Sequence, residues 1–102
     1  MDVGTRAVRP ESVLPDGERS LLVEHGHGSL EELDHIDVTE TSVEVRVRVL
    51  LRYLPEVAAR MGRGEIVLGT LQLILKTETV QLSEPLGARR IETALSAEST
   101  EP

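Results

Sequence analysis

The sequence predicts an all-β fold: a small antiparallel β-sandwich or rolled sheet of five to seven strands, with room for one short helix at 55–61. Three observations predict it. Val43, Val45, Val47 and Val49 alternate strictly with Glu44, Arg46 and Arg48, the period of a strand with one buried and one wet face. Two further strand-like stretches, Ser20–His25 and Leu33–Thr39, are separated by Gly26 and Gly28. Only one segment, Leu54–Gly64, carries helix signals.

Along the chain, residues 1–18 mix charges with Pro10, Pro15 and Gly17, show no periodicity, and read as a flexible arm ending in a Pro-Asp-Gly turn. Residues 19–92 read as one β-rich domain, and 93–102, rich in Ser, Thr, Glu and Ala, as a flexible tail. Ser20–His25 is the first strand, broken by Gly26 and Gly28, and Leu33–Thr39 the second. Thr41–Tyr53 holds the third and longest. In Leu54–Gly64, Pro55 suits the first helical position, Glu56 the first turn and Gly62 the end. Glu65–Leu82 is strand-like again but changes phase. Leu71, Leu73 and Leu75 share one parity, and Ile66, Leu68, Ile74, Val80 and Leu82 the other. That pattern predicts a strand covered on both faces, with a bulge or a turn at Thr77–Thr79. Pro85-Leu86-Gly87 is a turn, and Arg90–Ile91 starts a last short strand.

The alternation also suggests register. Pairing Leu21 with Val38 and Val23 with Ile36, then Val38 with Val45 and Ile36 with Val47, puts all these aliphatics on one face. It sets Asp37 opposite Arg46 and Leu33 opposite Leu50 on the other.

Composition narrows function. With 102 residues there is one domain and one modest core, which must be aliphatic because Phe and Trp are absent and Tyr53 is the only aromatic. The missing aromatics and a net charge of -7 argue against nucleic acid, which needs stacking faces and basic grooves. No segment approaches the about 18–20 apolar residues of a membrane-spanning helix. Met1–Pro10 does not read as a signal peptide, so the expected place is the cytoplasm, or the cell exterior if a leader precedes it. Without cysteine there is no disulfide, thiolate metal site or thiol nucleophile.

Two clusters could carry chemistry. His25 and His27, two apart on a strand, point the same way about 6.5–7 Å apart, and in the register above face Asp34 and Glu32. His25, His27, Glu32 and Asp34 are therefore a candidate metal site, for zinc or a similar divalent ion, although His35 would point to the opposite face. The plainer reading is a Gly-rich hairpin loop with solvated histidines beside acids, needing no cofactor. Secondly, Glu24–Glu44 carries seven acids and no Lys or Arg, while Arg46–Arg63 carries five Arg and one acid. This is cross-strand pairing on a wet face or a docking face for a charged partner. Arg89-Arg90 could bind an anion or sit on a solvated turn. No nucleophile elbow or phosphate loop is present.

The strand pattern Leu33-x-x-Ile36-x-Val38-x-Glu40-Thr41, Val45-x-Val47-x-Val49, then Val80-x-Leu82-x-x-Pro85-Leu86-Gly87-x-Arg89 resembles a diffuse group of small β-rich domains from Actinobacteria. These are often secreted or lipid-anchored. Members often carry an export signal, and cysteines near the positions of Gly28–Ser29 and in the insert; neither is seen here. The resemblance implies a β domain and no catalytic residues.

The expected function is a non-enzymatic interaction or structural module, a homo-oligomer or a subunit of a larger assembly. Leu50, Leu54 and Ile74 are the expected contacts with a protein partner or a second copy. The alternative is a metal- or small-ligand-binding protein using the His25/His27 hairpin.

Overall fold

A computed structural model describes residues 4–95. These residues form seven strands and one helix: β1 (Thr5–Val8), β2 (Ser12–Pro15), β3 (Ser20–His27), β4 (Glu31–Glu40), β5 (Glu44–Tyr53), α1 (Pro55–Gly62), β6 (Ile74–Gln81) and β7 (Arg90–Glu92). They build two layers. In the first sheet β5 is central, with β4 along one side and β1 and β7 sharing the other. In the second the order is β2-β3-β6. All pairings are antiparallel except the short parallel pair β5/β7. This is the expected β architecture, as an open sandwich with one short helix.

Strand alternation makes the core. Leu21 and Val23 on β3 and Val45, Val47, Val49 and Leu51 on β5 are buried, closed by Leu82. Val8, Val13, Leu33, Ile36, Val38 and Val80 pack around them. The odd face of the valine run is thus the interior, but Val43 is 67% exposed in the β4–β5 turn. That turn is closed by Thr41, whose hydroxyl accepts from the Val43 and Glu44 N–H groups.

Several expectations are corrected. Residues 5–8 and 12–15 of the expected arm are strands. They are only four residues long and lie at sheet margins, too short to show alternation, yet Val8 and Val13 reach the core. The Pro15-Asp16-Gly17 turn is their hairpin to β3, with Gly17 at φ +94°. β3 does not pair with β4. It pairs with β2 and β6, and the turn after His27 carries the chain to the other layer. The β4–β5 register is Val38↔Val47, Ile36↔Val49 and Asp37↔Arg48, two residues from the expected one and therefore on the same face. A bulge at Asp34 then turns Leu33 inward, opposite Leu51 rather than Leu50. Of the expected strand 65–82, only 74–81 is strand, in unbroken register with β3, so the phase change falls before Ile74. The expected 93–102 tail lies mostly outside the described residues.

The last crossover is fastened by Arg89, whose side chain is 11% exposed. Its Nη1 donates to Glu40 Oε1 (3.2 Å) and Thr41 O (3.1 Å), Nη2 to Glu84 O (3.0 Å) and Pro85 O (2.8 Å), and Nε to Leu86 O (3.2 Å). A guanidinium has five N–H groups, and five acceptors meet them here. Arg89 is therefore a clamp and neither an anion site nor a solvated turn residue.

Glu40 completes the clamp by accepting from the Ser83 N–H (2.8 Å) and hydroxyl (2.9 Å). The Ser83 backbone bond, helped by Ser83 Oγ and Arg89, lowers the Glu40 carboxyl below its ordinary value of 4.5. A lowered folded value means this support is complete above the unfolded value and is lost as pH falls through the folded one. Urea midpoints should fall as pH drops below 4.5, and Glu40→Gln should flatten the profile there. An unchanged profile would show that the clamp does not contribute.

Candidate functional site

The most distinctive residues gather where the two layers part along β6. Burial along β3 alternates, so Leu21, Val23, His25 and His27 all point between the layers. The inner face of β6 opposite them carries Ile74, Lys76, Glu78 and Val80, paired with His27, His25, Val23 and Leu21. The result is a cleft of about 330 Å³, lined in part by His25, His27, Leu54, Ile74, Lys76 and Glu78.

His25 is the unusual member. It is fully buried, and neither ring nitrogen has a hydrogen-bond partner. The Glu78 carboxylate lies 3.5 Å from Nε2, long for a hydrogen bond. His27 is 7% exposed, and its Nδ1 lies 2.8 Å from Gly28 O. A carbonyl only accepts, so Nδ1 is the donor in this contact.

Of the four candidate metal residues, three border the cleft and Asp34 does not. His25, His27 and Glu32 border the cleft, but the Glu32 carboxylate is held by Arg52 Nε at 2.8 Å. Asp34 sits at the bulge, bonded to His35 Nδ1 (2.6 Å) and 3.4 Å from Arg52 Nη1, away from the cleft. The physical reason is that β3 pairs with β2 and β6 rather than β4, so the hairpin that would set His25 against Asp34 and His27 against Glu32 does not form, and the bulge at Asp34 further shifts the parity of β4. Glu31 lines the cleft but is gripped by Arg6 at 2.7 and 3.1 Å, a bond that raises the Arg6 guanidinium above its usual value. Among the described residues, no three His, Cys, Asp or Glu groups are placed to hold a metal ion.

The candidate partner residues are also divided. Leu54 and Ile74 line the cleft. Leu50 lies on the outer face of the first sheet between Ala7 and His35, half-buried. The acidic and basic strands resolve there into pairs such as Asp37–Arg48 (3.6 Å) and Glu32–Arg52 (2.8 Å).

Beside the cleft lies a larger feature. Ile66, Leu68, Leu71, Leu73 and Leu75 are 85, 86, 108, 62 and 51% exposed. Residues 65–73 form neither helix nor strand. The segment is tethered where Thr70 N–H donates to Ser29 Oγ (3.0 Å). A Cβ on Gly69 would lie 2.7 Å from that oxygen and 2.9 Å from Leu30 Cγ, so a side chain there would force the segment off the turn. Leu73 and Leu75 then lie over Gly26 on the outer face of the second sheet. The strand expected over 65–82 would cover Leu71, Leu73 and Leu75 on both faces, and all three are exposed instead. The signal for exposure was Gly69-Thr70, which interrupts the run.

Comparison of the chain with protein-family models, curated proteins and solved structures finds no match. No helix among the described residues is long and apolar enough to cross a membrane.

Proposed function

We propose that this chain is a non-enzymatic interaction module that docks through β6 and the apolar run before it. The supporting observation is the exposure of five large aliphatic side chains within ten residues, Ile66 to Leu75. Single exposed aliphatics are ordinary, whereas such a set beside a strand edge that no strand among the described residues pairs with marks a contact surface.

The Leu71→Asp/Leu73→Asp double variant tests it, because both side chains project from the surface and their loss should leave the fold intact. Light scattering and affinity capture of the wild type should find an assembly larger than the 11.2 kDa chain. The double variant should lose that assembly while keeping its melting temperature within a few degrees. A wild type that stays monomeric and captures nothing would refute the proposal.

One observation favours a second reading, metal or small-ligand binding in the cleft: the two unpartnered nitrogens of buried His25. Zinc titration of the melting temperature, with His25→Leu as control, separates the two readings.

A further inference from the structure

Resting on the interaction reading, we propose that the partner covering β6 is a second copy of this chain, paired antiparallel, edge to edge, about a two-fold axis through Thr77. β6 carries β3 on one side and no strand on the other among the described residues. Its sequence, Ile74-Leu75-Lys76-Thr77-Glu78-Thr79-Val80, is complementary to itself when reversed. About Thr77, Lys76 of one copy meets Glu78 of the other, twice, by symmetry. Ile74 meets Val80 twice on the same inner face, and Leu75 meets Thr79 on the outer face. Thr77 meets itself, and Thr–Thr is a favourable cross-strand pair. An isologous contact requires this kind of self-match, in which residue i meets j and j meets i.

The other margins do not offer it. β4 carries Glu31, Glu32, Asp34, Asp37 and Glu40 and no basic residue except His35, so two copies would repel. β2 is four residues ending at Pro15, and β1 and β7 are four and three residues long. Lys76 is the only lysine among eleven basic residues. An inward-facing lysine on an edge strand ordinarily blocks indiscriminate strand addition. Glu78 two residues on gives that lysine one permitted neighbour, the same strand reversed. Pairing would extend the second sheet from three strands to six across the axis and bring the partner copy's inner face of β6 alongside the histidine cleft.

Charge reversal tests the register. In K76E two acids face two acids across the axis, and in E78K two lysines face two lysines. Each should weaken the homodimer about tenfold or more in sedimentation equilibrium, because two attractive pairs become two repulsive ones. Mixing the two single variants should restore a dimer of wild-type strength, as should the K76E/E78K double swap. Circular dichroism melts of each variant establish that it is folded, and the mixture and double swap give a readout that loss of folding cannot imitate. Self-association insensitive to these changes, or no restoration in the mixture, overturns the pairing. A wild type that is monomeric but captures another protein through Leu71 and Leu73 also overturns it, while leaving the interaction module standing.

Discussion

Val47→Asp is expected to leave the chain unfolded at 25 °C. Val47 is fully buried at the centre of β5, opposite Val38, with core side chains from both layers around it. An aspartate there would place a carboxylate among aliphatic groups with no donor positioned to meet it. Burying an unpaired charge costs several kcal/mol even after local relaxation. The lost valine burial adds about 1–3 kcal/mol. A domain of this size has only about 5–15 kcal/mol to lose, and the smallest domains lie at the low end. The variant should show no cooperative melt. Val43→Asp, four residues earlier in the same run but in the exposed turn, should change stability by less than about 0.5 kcal/mol. A normal melt for the Val47 variant would mean that the odd face of β5 is not the interior.

His25→Leu should have the opposite sign. A buried polar group without a partner costs about 1–3 kcal/mol, and replacing it by an apolar group of similar size removes that cost. The variant should be more stable by about 1–2 kcal/mol, raising the melting temperature by on the order of 5–15 °C in a small domain. The contact with Glu78 would be lost, but at 3.5 Å and with Glu78 44% exposed it offsets little. A fall in stability would show that His25 is bonded in solution, by Glu78 or by water. If zinc raises the wild-type melting temperature and leaves the variant unaffected, His25 serves a ligand. Without such a response, the cleft has no claim as a zinc site.

Much of the fold could be read from the alternation of a few residues. Val45, Val47 and Val49 declare the interior face of β5, and Ile36 and Val38 the matching face of β4, because one-sided burial leaves period two in the sequence. What could not be read were the pairings that depend on distant residues. Nothing near Leu21 or Val23 says that their strand pairs with Val80 rather than Val38, since both partners supply the same aliphatic surface. The expected cluster of His25, His27, Glu32 and Asp34 rested on that β3–β4 pairing, and the bulge at Asp34 leaves no local mark in the sequence either. Position mattered most for the leucines. Leu71 and Leu73 have the composition of a core, and only the tether of Thr70 to Ser29, with Gly69 packed close to Ser29 and Leu30, shows that they are held on the surface.

The path of the chain between the layers has a kinetic consequence. It passes from the first sheet to the second at β1–β2, returns at β3–β4, crosses over again through α1 and comes back at β7. β3, at the centre of the second sheet, obtains one neighbour from the nearby hairpin and the other from β6, as far along the chain as Ser20 is from Gln81. Neither sheet can close early from local segments alone, so the entropy of closing long loops must be spent before most native contacts form. Chains of this kind fold in milliseconds to seconds rather than microseconds. On a ribosome, β3 would emerge with its histidines and wait, with one edge open, until β6 had been synthesised.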